Sequence, residues 1–377
     1  MDERIDRFIQ SLVEQSTPER TAWNVERLTR PGKTGWNYID GCMLTALQTL
    51  SEITGEKSFA DFVESVLDAY VRDDGSIDSF DAEKHRLDDI NEGRVLFPVY
   101  QKSGKEKYRL AAETLHRALK AQPRTGEGSY WHKEVYPNQV WLDGIYMAMP
   151  FQALYERHFG QGDYSDIVRQ IRTVRDRMRD PQTGLYYHGY DYSRKAYWAD
   201  PVTGLSRSFW LRAIGWFSVA LTDLCEIVTD ADAAAEIAEI LRDLMRSLRA
   251  YCDEETGLYW QVVDQPGREG NYLESSGSAM IAYSMLKGAR LGVLDDEYRG
   301  LGRKTFDGLA QRHLTFEDGR MGLDHICLVA GLGTMGGKER DGSYEYYISE
   351  PVVSNDAKGV APFVLCYSEI RRLGSEA

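Results

Sequence analysis

Six apolar segments that each carry a glycine constrain the fold of this chain more than any other sequence feature. The glycines are Gly41, Gly93, Gly144, Gly215, Gly277 and Gly359, and they are separated by 52, 51, 71, 62 and 82 residues. A helix that is apolar on nearly every side is buried, and a glycine inside it costs about 1 kcal/mol relative to alanine. Six repetitions therefore indicate a shared packing reason, which is the close approach of neighbouring helices.

A second kind of helix alternates with these segments and is amphipathic, with an apolar stripe and a charged face. The amphipathic segments span residues 5–15, 59–71, 108–121, 167–179, 234–251 and 297–312. Six buried and six half-exposed helices in alternation are typical of helical hairpins repeated around a ring. We predict an all-α (α/α)6 barrel with six inner and six outer helices. An open solenoid is the alternative, although its repeats usually keep a more regular length.

The length of 377 residues would allow two ordinary domains or one large barrel. Since no Pro- or Ser-rich linker divides the chain, we predict a single barrel domain over residues 1–377. Strand-like alternation is limited to short pieces such as 184–188 and 257–261. The aromatic residues are 23 Tyr, 8 Trp and 12 Phe, a surplus that suits a sugar pocket but that a large helical core could also absorb.

The net charge of -14 argues against binding to the phosphate backbone of nucleic acids. The five cysteines form no Cys-x-x-Cys pair and most have apolar neighbours, which favours buried thiols over disulfides or a zinc site. The first residues lack the apolar core of a signal peptide, and no apolar stretch approaches the roughly 20 residues that cross a bilayer. We expect a cytoplasmic protein with no nucleic-acid or membrane partner. Its oligomeric state is left open.

The start of the third apolar segment places one carboxylate, Asp143, among Trp141, Leu142 and Ile145. Burial without a partner raises the pKa of a carboxyl group, and such a group can donate a proton near neutral pH. The alternative is that Asp143 only caps a helix, as Asp often does. In a barrel, polar residues at the starts of all inner helices face the same end of the ring, where they can form one site.

Further candidates for this site lie at other inner-helix starts and in the loops before them. They are Asp88, Tyr38, Trp210, Arg212 and Trp216 at the helix starts, and His132, Lys133 and His188 in the loops. An Arg near a helix start opposes the helix dipole, so Arg212 is expected to have an anionic partner, either an adjacent Asp or a ligand carboxylate. Each histidine is either a hydrogen-bonded structural group or a functional one.

The sequence lacks the motifs of several other chemistries. It has no HExxH, GxSxG or GxxxxGK[ST] motif, and no GxGxxG follows a strand. The glycine-rich stretch 331–338 lacks the spacing of a phosphate loop, so we interpret it as a flexible loop at the rim of the pocket. We expect neither a metal ion nor a cofactor.

Four segments together resemble glycoside hydrolase family 105, the unsaturated rhamnogalacturonyl hydrolases, and its relatives in family 88, the unsaturated glucuronyl hydrolases. They are Trp141-Leu142-Asp143-Gly144, Phe209-Trp210-Leu211-Arg212-Ala213-Ile214-Gly215-Trp216, Asn355-Asp356-Ala357-Lys358-Gly359 and Trp36-Asn37-Tyr38. The match covers nearly the whole chain. One departure is Leu142, where relatives often carry a smaller residue such as Ala, and it is expected to narrow the pocket beside Asp143.

The resemblance implies an (α/α)6 barrel that removes the 4,5-unsaturated uronic acid from the non-reducing end of lyase-generated oligosaccharides, such as those from pectin. It implies that Asp143 is the acid and base and that Asp88 is the second acidic residue of the pocket. The substrate-binding residues would be Tyr38, His132, Lys133, His188, Trp210, Arg212 and Trp216. In the implied reaction, Asp143 protonates C4, water adds at C5, and the hemiketal opens.

Other functions stay open at the level of sequence. The sugar after the unsaturated residue and the choice between galacturonyl and glucuronyl substrates are not fixed, so an unsaturated glucuronyl hydrolase is the first alternative. A sugar epimerase could use His132 and His188 as acid and base. A non-catalytic sugar-binding barrel would keep the aromatic residues but has no need of an acid among apolar side chains.

Overall fold

The computed structural model describes residues 2–28, 31–317 and 320–375. Its α-helices are α1 (Asp2–Glu14), α2 (Val25–Leu28), α3 (Tyr38–Thr54), α4 (Lys57–Tyr70), α5 (Leu96–Ser103), α6 (Glu106–Ala121), α7 (Leu142–His158), α8 (Ser165–Met178), α9 (Leu211–Ile227), α10 (Ala231–Leu248), α11 (Ser275–Arg290), α12 (Glu297–Arg312), α13 (Tyr344–Ile348) and α14 (Ala357–Ser375). Short 3-10 helices span Ala82–Lys84, Leu87–Val95 and Arg249–Tyr251.

The buried helices close into a ring, which confirms the (α/α)6 barrel and excludes the open solenoid. Helix α3 packs against the 3-10 helix Leu87–Val95, which packs against α7, and the ring continues through α9, α11 and α14 back to α3. The outer helices α4, α6, α8, α10 and α12 each pack against the inner segment that precedes them. The hydroxyl of Tyr367 on α14 donates a 2.9 Å hydrogen bond to Asp6 on α1.

Four of the six glycines, Gly41, Gly93, Gly215 and Gly277, stand where neighbouring helices approach closely. A Cβ atom on Gly41 would lie 2.6 Å from the Cα atom of Glu92 in the adjacent segment. A Cβ atom on Gly215 would lie 2.7 Å from Sδ of Met280 on α11. Because real side chains do not tolerate such distances, the packing reason predicted from the sequence is confirmed at these two interfaces.

The second inner segment differs from the continuous helix expected there. It begins as the 3-10 helix Leu87–Val95 and becomes α-helical only at Leu96. Its first backbone N–H, that of Leu87, donates to the carbonyl of His132 at 3.1 Å, so this end of the segment is tied to a neighbouring loop. This hydrogen bond brings Asp88 toward the loop that carries His132 and Lys133.

Short antiparallel strand pairs lie in the connections that lead into inner helices. The strands are β1 (Gln139–Trp141), β2 (Gly189–Asp191), β3 (Tyr259–Trp260), β4 (Leu273–Glu274), β5 (Leu314–Glu317), β6 (Arg320–Leu323), β7 (Ile326–Cys327) and β8 (Val352–Val353), paired β1–β2, β3–β4, β5–β6 and β7–β8. Strand β1 runs directly into α7, and β4 runs directly into α11. The strands therefore gather at the end of the barrel where the inner helices begin.

All five cysteines are free thiols. Cys42, Cys327 and Cys366 are buried, as the apolar surroundings of the cysteines in the sequence predicted. Across the described ranges, no helix combines the length and the apolar character needed to span a membrane.

Candidate active site

The pairing of β1 with β2 places His188 beside Asp143. Trp141 pairs with Gly189 in this ladder, and the N–H of Leu142 donates to the carbonyl of His188 at 3.1 Å. As a result, Nε2 of His188 lies 3.1 Å from Oδ2 of Asp143, although the two residues are 45 positions apart in the chain (188 minus 143).

Asp143 is not the cap of its helix. The N-cap position of α7 is Trp141, which makes no side-chain capping bond, and Asp143 lies in the first turn. Despite their short separation, Oδ2 of Asp143 and Nε2 of His188 lack a well-aligned hydrogen bond, and neither buried atom has another partner within the described residues. Buried polar atoms are normally satisfied, so the misaligned pair is a candidate for contact with a ligand.

The pKa of Asp143 is lowered, and the raised value expected from the sequence is wrong for the free protein. Burial acts to raise this pKa, but the adjacent His188 and the nearby His132 act in the opposite direction and together prevail. The expectation considered the apolar side chains around Asp143 and left out a histidine that reaches it from another loop.

A second acidic group, Asp88, lies beside the first. Its Oδ2 atom is 2.5 Å from Nζ of Lys133, and its Oδ1 atom is 3.5 Å from Nε2 of His132. Burial acts to raise the pKa of Asp88, but Lys133 and His132 outweigh it and the net shift is downward. Burial also lowers the pKa of His132 to about 4, so this imidazole is neutral at physiological pH.

A cavity of about 520 Å³ opens next to this group. The residues at its inner wall include Trp36, Tyr38, Asp88, Asp89, Lys133 and Met335. Burial and the neighbouring Asp88 raise the pKa of Asp89 to about 6. Of the two acidic groups at this wall, Asp89 therefore has the raised pKa and Asp88 the lowered one. Met335 belongs to the glycine-rich stretch 331–338, which the sequence analysis placed at the rim of a pocket. The structure places Met335 in the lining of this cavity.

Three hydrogen bonds of Arg212 are made within the protein. The guanidinium is buried and donates to Oγ of Ser276 at 3.3 Å, to the carbonyl of Leu328 at 3.3 Å and to the carbonyl of Cys327. Within the described ranges it forms no ion pair, so the adjacent Asp that was one of the two expected partners is replaced by a hydroxyl and two backbone carbonyls, and the other, a ligand carboxylate, stays a prediction. Arg212 therefore anchors the backbone at β7.

The two tryptophans of α9 lie at different depths. The Trp210 ring centroid is 4.7 Å from that of His188, which places Trp210 at the Asp143–His188 pair. Trp216 is six residues further along the helix, about 9 Å along its axis, and stacks on Tyr146 with centroids 4.4 Å apart. Trp141 stacks on His132 at 4.4 Å and completes an aromatic wall around the pair.

Two residues that the sequence did not single out contact this site. The hydroxyl of Tyr347 on α13 is 2.7 Å from Nδ1 of His188, and Gln261 accepts a 3.2 Å hydrogen bond from Nε1 of Trp210. The available signal for Tyr347 was an aromatic cluster, Tyr344-Glu345-Tyr346-Tyr347, just before the sixth inner helix. No comparable signal marked Gln261. In the described part of the chain, no group of three or more His, Cys, Asp or Glu side chains could hold a metal ion.

Comparisons with known proteins agree with this architecture. The model of Glycosyl Hydrolase Family 88 matches residues 5–374. A family 105 glycoside hydrolase from C. acetobutylicum ATCC 824 is 36% identical and superposes with a TM-score of 0.89 over 97% of this chain and 98% of that one.

Two more distant proteins are also similar. Unsaturated rhamnogalacturonyl hydrolase YesR of Bacillus subtilis (strain 168) is 26% identical over 264 residues, which are 68% of this chain and 72% of YesR. Unsaturated glucuronyl hydrolase from Bacillus sp. GL1 is 13% identical and has a TM-score of 0.69 over 99% of this chain and 97% of that one, a likeness of fold.

Proposed function

Since this chain belongs to glycosyl hydrolase family 88 and is a glycoside hydrolase of the unsaturated uronyl type, we propose that it acts on unsaturated rhamnogalacturonan disaccharides. The reaction removes the 4,5-unsaturated uronic acid from the non-reducing end. The observation that carries the proposal is the buried Asp143–His188 pair, 3.1 Å apart and without an aligned partner, at the mouth of the barrel. The choice of a rhamnose-linked substrate draws on the likeness to YesR.

Asp143 is the proposed acid and then the base. Its proton goes to C4 of the double bond, and positive charge develops at C5 and the ring oxygen. The carboxylate of Asp143 then accepts a proton from the water whose oxygen bonds to C5. The resulting hemiketal opens as the bond from C5 to the ring oxygen breaks, which leaves a ketone at C5 and a hydroxyl at C1. The C1 hemiacetal then becomes an aldehyde, the bond from C1 to the sugar oxygen breaks, and the C1 hydroxyl proton passes to that oxygen. One carboxyl group suffices, unlike the paired carboxylates of ordinary glycosidases.

The lowered pKa of Asp143 in the free protein is compatible with this role because the substrate itself is an anion. A uronate carboxylate bound near Asp143 disfavours a second negative charge and therefore raises the pKa of Asp143. Exclusion of water by Trp141 and Trp210 acts in the same direction. Binding of substrate thus prepares the proton donor.

Asp88, Tyr38 and Lys133 are proposed to bind the substrate from the side of the cavity. The ammonium of Lys133 keeps Asp88 ionised, so Asp88 accepts hydrogen bonds from sugar hydroxyls. His132 and His188 are buried beside the cavity, where they contact Asp88 and Asp143, and Trp210 packs on His188. Arg212 and Trp216 support this group from behind. The cavity of about 520 Å³ has room for the leaving sugar.

The test is loss of the ultraviolet absorbance of the conjugated double bond when the protein meets defined lyase products. We expect the fastest loss with unsaturated rhamnogalacturonan disaccharide and slower loss with unsaturated glucuronyl disaccharides from glycosaminoglycans. Faster turnover of the glucuronyl substrates would overturn the rhamnogalacturonan assignment. A flat absorbance with every substrate would overturn the proposed reaction.

A further inference from the structure

We propose that Tyr347 is a positioning residue that donates a hydrogen bond to Nδ1 of His188 and so holds the ring proton of the neutral imidazole on Nε2, where it faces Asp143. This inference rests on the proposed role of Asp143 as the acid. It assigns a task to a buried hydroxyl that the reaction outlined above does not use.

The contact lies in the interior, on the side of His188 away from Asp143. The hydroxyl of Tyr347 is 2.7 Å from Nδ1 of His188, and both residues are 0% exposed. Nε2 of the same ring faces Oδ2 of Asp143 at 3.1 Å. The imidazole is therefore the middle member of a Tyr347–His188–Asp143 row.

The direction of the first hydrogen bond follows from the surroundings of Tyr347. Within the described ranges, His188 is the only hydrogen-bond partner recorded for this hydroxyl. If Nδ1 carried the proton and donated it, the phenolic proton would be buried without an acceptor, which costs about 1–3 kcal/mol. Tyr347 is therefore the donor and Nδ1 the acceptor, which places the ring proton of the neutral imidazole on Nε2.

The tyrosine ring is fixed from two sides. The backbone carbonyl of Tyr347 accepts a 3.1 Å hydrogen bond from Nε2 of Gln261, whose Oε1 accepts from Nε1 of Trp210 at 3.2 Å. The rings of Trp210 and Tyr347 are nearly parallel, at 11° and 5.7 Å between centroids. The hydroxyl cannot turn from His188 without disturbing this arrangement, so Nδ1 stays occupied.

The occupied Nδ1 decides which way the ring proton points. Because Nδ1 accepts from Tyr347, the proton of the neutral imidazole lies on Nε2 and faces Oδ2 of Asp143. A donor in that position stabilises the carboxylate that Asp143 becomes once its proton has gone to C4 in the proposed reaction.

Other charged groups around the pair come from several elements. They are Asp88, Lys133 and His132 on the side of α7, and Tyr346, Arg340 and Asp341 on the side of α13. Asp88 and Lys133 neutralise each other at 2.5 Å. Arg340 and Asp341 likewise carry opposite charges, so each set brings little net charge to the pair.

The first test is the tautomer of His188 in the wild-type protein, determined by NMR of isotope-labelled histidine. The signal is assigned by its loss in His188→Gln. We expect the ring proton of the neutral imidazole on Nε2. A ring proton on Nδ1 would overturn the proposal. This measurement needs no substrate, so its outcome is independent of the proposed function.

The second test is Tyr347→Phe, with Tyr346→Phe as the matched control. The hydroxyl of Tyr346 lies on the same short helix but accepts from the backbone N–H of Gly331 at 3.0 Å. In Tyr347→Phe we expect kcat to fall by about 10- to 100-fold with KM changed less than about twofold, because Nε2–H of His188 is no longer held toward the carboxylate of Asp143. The pH at which the pair takes up its proton should rise.

The outcomes separate the two proposals. Wild-type protein that turns over no unsaturated uronide refutes the proposed function, whereas the NMR result still decides the state of His188. Active wild-type protein together with an unchanged kcat and pH profile in Tyr347→Phe refutes the role of Tyr347. Equal losses in Tyr347→Phe and Tyr346→Phe, with equal drops in melting temperature, also refute it, since that pattern reports damage to α13 alone.

Discussion

The two ends of the barrel both bury carboxylates, but they treat them in opposite ways. At the mouth, Oδ2 of Asp143 faces Nε2 of His188 without an aligned hydrogen bond. Toward the other end of the inner helices, Asp223 accepts from Arg94 at 2.6 Å and from Lys287 at 2.8 Å. The same residue type is thus under-satisfied in one place and saturated in the other.

Saturation makes this group of residues, the Asp223 cluster, structural. Tyr283 adds a 2.8 Å hydrogen bond to the same carboxylate, and the pKa of Asp223 falls to about 2 because Lys287 and Arg94 outweigh the effect of burial. The guanidinium of Arg94 also stacks over the ring of Tyr146. Three inner segments of the ring are joined there by one carboxylate, so the difference teaches that burial and charge alone do not identify a catalytic carboxyl group.

The most severe test of this contrast is Asp143→Asn. An amide cannot deliver or recover the proton, so we expect kcat to fall by about 10³-fold, within the range of general acid–base catalysis. The substitution is isosteric and removes no aligned hydrogen bond, so the melting temperature should stay within about 1 °C of wild type. Turnover is followed by the double-bond absorbance and stability by thermal unfolding. Near-normal turnover would remove Asp143 from its proposed role.

The reciprocal substitution in the Asp223 cluster, Asp223→Asn, should affect stability instead of chemistry. It leaves two buried cations, Arg94 and Lys287, without their shared counter-charge, which costs about 3–5 kcal/mol of unfolding free energy. Urea unfolding measures the loss. The kcat of the folded fraction should match wild type, and a large fall in kcat with unchanged stability would erase the distinction between the two ends.

The pH dependence of this effect has a defined sign. In unfolded chains the pKa of Asp is about 3.9, whereas that of Asp223 in the folded protein is lowered to about 2. The stabilisation from this ionised group is therefore complete above the unfolded value and is lost as the pH falls through the folded one. Wild type and Asp223→Asn should converge in stability as the pH is lowered from about 4 to about 2.

A smaller effect is expected from Lys133→Met at the mouth. Without the ammonium, burial and the charge of Asp143 raise the pKa of Asp88, so the acidic limb of the activity profile should move to higher pH. We expect kcat/KM at neutral pH to fall about tenfold. Lys84 lines the same cavity but pairs with Asp81 at the surface, so Lys84→Met is the control and should stay within about twofold. Equal losses would show that only the total charge of the cavity matters.

The sequence alone predicted more of the fold than of the candidate site. The alternation of apolar and amphipathic segments determined the ring because burial on all sides leaves a helix no place except the inside. The outer helix predicted at 297–312 coincides with α12, and the other outer helices agree within about three residues at each end. The 3-10 start of the second inner segment was missed because its cause is a bond between Leu87 and the loop at His132.

The site was predicted as a set of residues but not as a set of contacts. Asp143 and His188 carried local signals, yet their contact depends on the register of two three-residue strands, which leaves almost no trace in the sequence. The direction of the pKa shift of Asp143 failed for the same reason. Arg94 and Asp223 are joined across 129 positions, so the Asp223 cluster was visible only as isolated charges in apolar helices.

Glu226→Gln is the mildest test, and it separates the effect of burial from the effect of ion pairing on the stability of the Asp223 cluster. Glu226 contacts the same ammonium as Asp223, since its Oε2 atom lies 2.8 Å from Nζ of Lys287, but its side chain is 43% exposed. Water replaces much of a lost ion pair at such a position, so we expect a loss of less than about 1 kcal/mol in urea unfolding. A loss of unfolding free energy as large as that of Asp223→Asn would mean that the Asp223 cluster stabilises the fold through ion pairing and not through burial of the carboxylate.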